Sequence, residues 1–169
     1  MKNYFELFGL APAYALDLAR LDGAYRDIQA RIHPDKFAHA GAAERRASMQ
    51  MTTQVNEAYR ALKSPVRRAV YLLELNGIDV AFETDTAMPK DFLKRQMEFR
   101  EQLEEAKSSS DLDFIKKSLS EQKGEIEKLV AEQIDSKKSF QDARPLVRKL
   151  MFFDRLAEEV EDAYATLER

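Results

Sequence analysis

Arg31-Ile32-His33-Pro34-Asp35-Lys36-Phe37 decides the fold, because the chain on either side of it reads as amphipathic helix. Upstream, Leu18, Leu21, Tyr25, Ile28 and Ile32 recur at helical spacing; downstream, Met51, Val55, Ala58 and Leu62 do the same. Two apolar stripes on neighbouring helices bury against each other, which leaves their connection at one end of a helix hairpin, facing water. Pro34 fixes its own φ and drives His33 out of the α region, so the first helix stops near Ile32. His33 and Asp35 are then presented on a stiff turn, and a preorganised turn loses little entropy when a partner grips it. The plain alternative is a helix-breaking turn that happens to be polar.

Working outward, Asn3 to Phe8 predicts a short helix ended by Gly9, with Pro12 in the turn that follows. Asp17 is placed to cap the helix that reaches Ile32. A loop with Gly41 leads into a helix over about Ala42–Leu62. Ser64 as N-cap with Pro65 at the first helical position opens a fourth helix, carrying Ala69, Leu72 and Leu73 inward and ending at Gly77. Residues 78–88, with Thr84, Asp85 and Thr86, lack helical periodicity and read as a boundary segment. Pro89 then opens a helix to about Lys107, and Ser108-Ser109-Ser110-Asp111 forms a loop and cap. A second helix carries Leu112, Ile115, Leu119, Ile126 and Leu129, with an irregularity expected where Gln122 and Gly124 interrupt the stripe. A third begins near Asp142, with Pro145 in its first turn and Leu146, Leu150, Phe153, Ala157, Val160, Tyr164 and Leu167 inward. No strand pattern competes. The expectation is an all-α protein, a helix hairpin with an added fourth helix over 1–77 and an antiparallel three-helix bundle over 89–169.

Composition narrows the function classes. The 169 residues are 44% hydrophobic with five Gly and five Pro, enough for packed cores with little disorder. No apolar run approaches the ~18 residues of a membrane span, and the opening residues resemble neither a signal nor a transit peptide; a soluble intracellular protein is expected. The absence of cysteine excludes a disulfide framework, a cysteine nucleophile and thiolate ligation of an iron–sulfur cluster by this chain. The net charge of -3 hides an asymmetry: residues 1–75 hold 11 Lys and Arg against 8 Asp and Glu, whereas residues 76–169 hold 16 against 22. Opposite balances on two lobes suggest two different partners.

His33-Pro34-Asp35 in this setting, with Asn3-Tyr4-Phe5-Glu6-Leu7-Phe8-Gly9-Leu10 before it and Asn56-Glu57-Ala58-Tyr59-Arg60-Ala61-Leu62 after it, resembles the J-domain, the module that stimulates ATP hydrolysis by DnaK-type chaperones. Arg68-Ala69-Val70-Tyr71-Leu72-Leu73-Glu74-Leu75-Asn76-Gly77 and the later run Val147-Arg148-Lys149-Leu150-Met151-Phe152-Phe153-Asp154 are more particular. They resemble the iron–sulfur co-chaperone HscB family, in which a short J-domain is joined to a helical scaffold-binding domain. The resemblance covers essentially the whole chain. It implies a cytoplasmic co-chaperone that stimulates the ATPase of an HscA-like chaperone and delivers an IscU-like scaffold for cluster transfer. The chain itself would need neither metal nor nucleotide.

Two candidate surfaces follow. Arg20, Arg26 and Arg31 on the first long helix lead toward His33, Pro34, Asp35 and Lys36, and the resemblance implies that these dock on an acidic part of the chaperone. The plain reading is a solvated helix face, since Asp22 and Asp27 partly offset the cations. His33 with Asp35 could also suggest acid–base chemistry, but no nucleophile or metal cluster accompanies them, so no catalytic residue is assigned. On the helix after Pro89, Phe92, Phe99, Leu103 and Ala106 share the core sector. Leu93 and Met97 lie roughly 100–140° from its centre, with Glu101 and Glu104 on the same flank, and Phe152 falls about 100° off the inward stripe of its own helix. Exposed apolar residues beside carboxylates mark an interface; a wide core stripe is the alternative. The resemblance implies scaffold binding through Leu93, Met97, Glu98, Glu101, Glu105 and Phe152, with Lys94 departing from the family pattern. A general J-domain co-chaperone for other clients is the runner-up, though neither a Gly/Phe-rich linker nor client-binding β domains are visible. Nucleic-acid binding is disfavoured by the modest positive balance of the first lobe, and no membrane contact is expected.

Overall fold

The structure is a computed structural model that describes residues 2–80 and 89–169; the expected boundary residues Thr84, Asp85 and Thr86 lie outside them. Among the described residues every regular element is helical. The α-helices are α1 (Tyr4–Leu7), α2 (Leu18–Ile32), α3 (Ala42–Lys63), α4 (Pro65–Leu75), α5 (Lys90–Glu105), α6 (Ser109–Ala131) and α7 (Phe140–Leu167), with a 3₁₀ turn at Pro34–Phe37 and a π turn at Glu132–Ser136. The chain divides into two compact units, Met1–Leu72 and Leu73–Arg169, the division falling inside α4.

Local chemistry sets the helix ends. Asn3 and Glu6 cap α1 reciprocally: each side chain accepts from the other's backbone N–H, at 2.9 and 3.1 Å. Asp17 accepts from the N–H groups of Ala19 and Arg20 at 3.0 and 3.2 Å, and Ser64 accepts from Arg67 at 3.2 Å above Pro65. α1 and α4 end the same way. Gly9 and Gly77 adopt φ of +66° and +76°, and the residue after each returns its N–H to a helix carbonyl, Leu10 to Phe5 and Ile78 to Leu73, both at 2.9 Å. This closing motif needs a left-handed residue after the cap, where a side chain would be strained.

In the first unit α2 and α3 pack as a hairpin around buried Leu21, Val55, Ala58 and Leu62, with Phe5 of α1 and Ala69 of α4 also buried. Each large apolar side chain so buried contributes about 1.5–3 kcal/mol. Leu18 and Met51, expected inside, are exposed. Leu18 opens α2 at the outer end of its stripe, whereas Met51 lies between buried Ser48 and Val55 on α3 and is nonetheless 40% exposed. A polar seam completes the hairpin. Tyr25 and Tyr59 stack at 3.9 Å, Tyr25 donates to the Asn56 side-chain oxygen at 2.6 Å, and Tyr59 donates to Asp22 at 2.6 Å.

In the second unit α5, α6 and α7 surround a core of Phe92, Phe99, Leu112, Ile115, Leu119, Phe153, Leu156 and Val160. Leu103 and Ala106 pack against it, as the wheel of α5 predicts. Other expectations are corrected. α6 runs straight through Gln122 and Gly124, and the irregularity comes at Glu132–Ser136 instead. There Lys137 donates to the Glu132 carbonyl at 2.9 Å and Lys138 takes a φ of +54°, so a lysine fills the left-handed position that glycine usually holds. In the last turn of α6 Val130 is buried and Leu129 exposed, and Ile134 of the π turn is buried. α7 starts at Phe140, which puts Pro145 beyond the first turn and inside the helix. Its buried face runs through Ala143, Val147, Leu150, Phe153, Leu156 and Val160, while Leu146 is half-buried and Leu167 exposed at the frayed end.

Candidate functional site

The first candidate surface begins where α2 stops. His33 has extended backbone (φ -55°, ψ 133°), and Pro34 then starts the 3₁₀ turn. The His33 ring nitrogen Nδ1 accepts from the Asp35 N–H at 3.2 Å and lies 3.5 Å from the Asp35 carboxylate. The His33 carbonyl accepts from the Lys36 N–H at 3.0 Å. The imidazole is therefore turned back onto the turn it opens, while its side chain stays 57% exposed and that of Asp35 93% exposed. Pro34 and Lys36 are exposed as well. The turn displays a ring edge, a carboxylate and an ammonium on a backbone that is already folded.

One contact that fixes this turn was not visible in the sequence. Ser48 of α3 is buried, and its hydroxyl donates to the Ile32 carbonyl at 2.6 Å. Ile32 is the last residue of α2, so its carbonyl has no partner within the helix. Ser48 satisfies it and ties the root of the turn to α3. A serine inside a helix reads as a neutral residue until the neighbouring helix end is known to face it.

Arg20, Arg26 and Arg31 are all exposed on α2, but not on one face. Helical geometry sets Arg26 roughly 120–140° around the axis from Arg20 and Arg31. Arg26 shares its flank with Asp22, whose carboxylate accepts from the Tyr59 hydroxyl and from Lys63 at 2.9 Å. The Tyr59 hydrogen bond, then Lys63, holds the Asp22 carboxyl below its ordinary value, and Asp22 in return raises Tyr59 and Lys63. Arg31 lies toward the His33 turn and donates to the Asp27 carbonyl at 3.4 Å.

The second candidate surface is on α5. Leu93 is 41% and Met97 63% exposed. Glu98, Glu101 and Glu105 are exposed on the same helix, as is Lys94. Phe152 of α7 is half-buried, edge-on to Phe92 at 5.7 Å and capped by the Arg155 guanidinium 5.9 Å from its ring centre. It is part core and part surface, less displaced than its wheel position suggests. Arg100 of α5 meets Glu159 of α7 at 3.5 Å. That fixes the flank of α5 holding Leu93 and Met97 as the one turned toward α7. Glu98 and Glu105 occupy the opposite flank, toward α6, with Glu101 between. Among the described residues no group of three or more His, Cys, Asp and Glu is set to hold a metal ion, and no helix is long and apolar enough to cross a membrane.

The pattern described as the HSCB C-terminal oligomerisation domain matches residues 88–161. A co-chaperone protein HscB homolog of Azoarcus is 40% identical over 170 residues, covering 99% of this chain and 96% of its own. The HscB homolog of Paraburkholderia xenovorans is 46% identical over 162 residues, covering 94% and 91%. The chain belongs to the HscB co-chaperone family. Solved HscB structures match most of the chain. Chaperone HscB from Vibrio cholerae superposes with a TM-score of 0.86 at 36% identity, covering 98% of this chain and 99% of that one. Human co-chaperone HscB gives 0.91 at 30% identity, covering 95% and 81%. The all-α fold expected from the sequence is thus that of the HscB proteins, and the chain is a co-chaperone of HscB type.

Proposed function

We propose that this HscB-family chain acts in the cytoplasm in iron–sulfur cluster assembly, joining an HscA-like DnaK-type chaperone to an IscU-like scaffold. In this reading residues 1–77 are the J-domain. The His33–Pro34–Asp35 turn and Lys36, together with Arg20, Arg26 and Arg31 along α2, engage the chaperone and stimulate its ATPase. Residues 89–169 hold the scaffold through Leu93, Met97, Glu98, Glu101, Glu105 and Phe152. The chaperone performs the hydrolysis; this chain contributes contacts and proximity. Two tethered interactions raise the effective concentration of scaffold at the chaperone, which neither unit achieves alone. The observation that carries the reading is the chemical contrast between exposed sites on the two units: a preset polar turn on one, and solvent-facing Leu93 and Met97 beside carboxylates on the other.

The test is a crossed pair of variants in the full chain. Asp35→Asn or His33→Gln is expected to abolish stimulation of steady-state ATP hydrolysis while scaffold affinity and the circular dichroism spectrum stay unchanged. Leu93→Ser with Met97→Ser is expected to abolish scaffold binding while stimulation by the scaffold-free protein persists. Full stimulation by folded Asp35→Asn would remove the J-domain assignment. Full scaffold binding by the double serine variant would move the client site elsewhere.

A further inference from the structure

Phe114 on α6 is 72% exposed, more than any other large apolar residue described. Helical geometry turns it about 130° away from the buried stripe of Leu112, Ile115 and Leu119, toward the side on which α6 meets α5. It lines two adjoining hollows along that seam, of about 540 and 360 Å³. Gln102 of α5 is also common to both, so the hollows form one groove with Phe114 at its middle. Ile115 and Phe99 form apolar parts of its floor.

Charge is arranged around that phenyl ring. Glu105 and Asp111 line one hollow; Glu98 and Glu125 line the other, with Arg95 beside them. The N–H of Lys107, then the Ser108 hydroxyl, holds the Asp111 carboxyl below its ordinary value. Carboxylates therefore lie to both sides of a central apolar contact. A complementary ligand places an aliphatic or aromatic side chain against Phe114 and cations on either side of it.

We infer that the α5–α6 groove around Phe114 is a second contact surface for the scaffold partner, taking a segment of it in which Lys or Arg residues flank one apolar side chain. The inference rests on the scaffold-binding reading above and extends that footprint over α5. Glu98 and Glu105, on the α6 flank of α5, then belong to this groove, and Leu93, Met97 and Phe152 to the α7 side. An exposed phenyl ring on a helix is a contact awaiting cover, and the surrounding charge specifies what covers it.

Calorimetric titration of the scaffold protein into the full chain tests this. Phe114→Ser is expected to weaken binding about tenfold, as loss of a central interface residue does, and Phe114→Leu to restore most of it. Glu125→Lys, outside the residues already assigned to the scaffold, is expected to weaken binding at low salt and less so as salt is raised. If Phe114→Ser and Glu125→Lys both bind like wild type while Leu93→Ser with Met97→Ser does not, the groove inference falls and the scaffold reading stands. If the wild-type chain itself fails to bind the scaffold, both fall. Should Phe114→Ser leave scaffold affinity intact but abolish self-association in sedimentation, the groove belongs to a second copy of this chain and the inference is overturned. The exposed position makes unfolding by Phe114→Ser unexpected; should it occur, Glu125→Lys decides alone, with unchanged affinity overturning the inference.

Discussion

The His33–Pro34–Asp35 turn and the Leu93–Met97 face are both exposed, yet the fold holds them in opposite ways. The turn is fixed by its own backbone: Pro34 sets the geometry, the His33 ring accepts from Asp35, and Ser48 secures Ile32 behind it. Its side chains can be changed without disturbing a core. The apolar face borrows its position from the core beneath. Phe92 and Phe99, neighbours of Leu93 and Met97 on α5, are buried, and Phe152 is shared between surface and core through its edge contact with Phe92. A polar recognition turn is therefore separable from stability, whereas an apolar recognition face grades into the structure that supports it.

The largest effect that could break this comparison is on stability. Phe153→Ala, a fully packed core position, is expected to cost about 3–5 kcal/mol. Met97→Ala is expected to change stability by less than about 0.5 kcal/mol, and Phe152→Ala to fall between. Urea denaturation followed by circular dichroism measures all three. A cost for Met97→Ala approaching that of Phe153→Ala would make the α5 face core, and the comparison would fail.

A smaller effect sharpens the other half. Arg31→Glu is expected to weaken chaperone binding more than Arg26→Glu, because Arg31 leads into the turn while Arg26 faces the Asp22 flank. Each reversal should be several-fold at low salt and shrink as salt is added, since exposed charges are screened over about 8 Å at physiological ionic strength. Calorimetry across a salt series gives the result. Equal effects would mean that the chaperone wraps both flanks of α2, and salt-independent affinity would rule out electrostatic docking.

Much of this was legible in the sequence, and the reason differs by element. The caps at Asp17, Ser64 and Ser108 and the helix-ending glycines Gly9 and Gly77 were readable because they are local: the residue that closes the helix lies beside it. The core face of α5 was readable because Phe92 and Phe99 repeat at helical spacing around an otherwise charged helix. The end of α6 was not, because Lys138 in a left-handed conformation carries no compositional signal. Leu167 was misplaced because a stripe read by periodicity continues past the point where the partner helix stops covering it, and Leu129 because the buried stripe there runs through its neighbour Val130 to Ile134 instead. Ser48 and Phe114 were missed for a shared reason. Their roles are set by what another helix brings opposite them, and neither residue's own neighbours along the chain encode that. Gln96 and Arg148 are buried as well, which their own polar chemistry does not announce.

The smallest effect concerns the seam that keeps the polar turn's hairpin together. Asp22 accepts from Tyr59 and Lys63, which holds its carboxyl below the ordinary value of 3.8 in the folded chain. A depressed folded value contributes stability that is present above 3.8 and is lost as pH falls through the folded value. Tyr59 and Lys63 are raised from 10.0 and 10.5, so their share is complete below those values and is lost as pH rises through the folded ones. The seam is thus whole between about pH 5 and 9 and opens at both extremes. Asp22→Asn keeps an oxygen that can accept from Tyr59 but removes the charge. It is expected to lower the melting temperature of the first unit slightly and by a constant amount across that plateau, with the difference from wild type shrinking as pH falls below 3.8 through the folded value. Chaperone stimulation at neutral pH should survive, because Ser48 and Pro34, not Asp22, hold the turn. A pH series of thermal melts on the two proteins decides. If the deficit of Asp22→Asn persists unchanged into strong acid, the carboxylate contributes through packing alone. If stimulation falls with it, the turn depends on the seam, and its independence from the rest of the hairpin is lost.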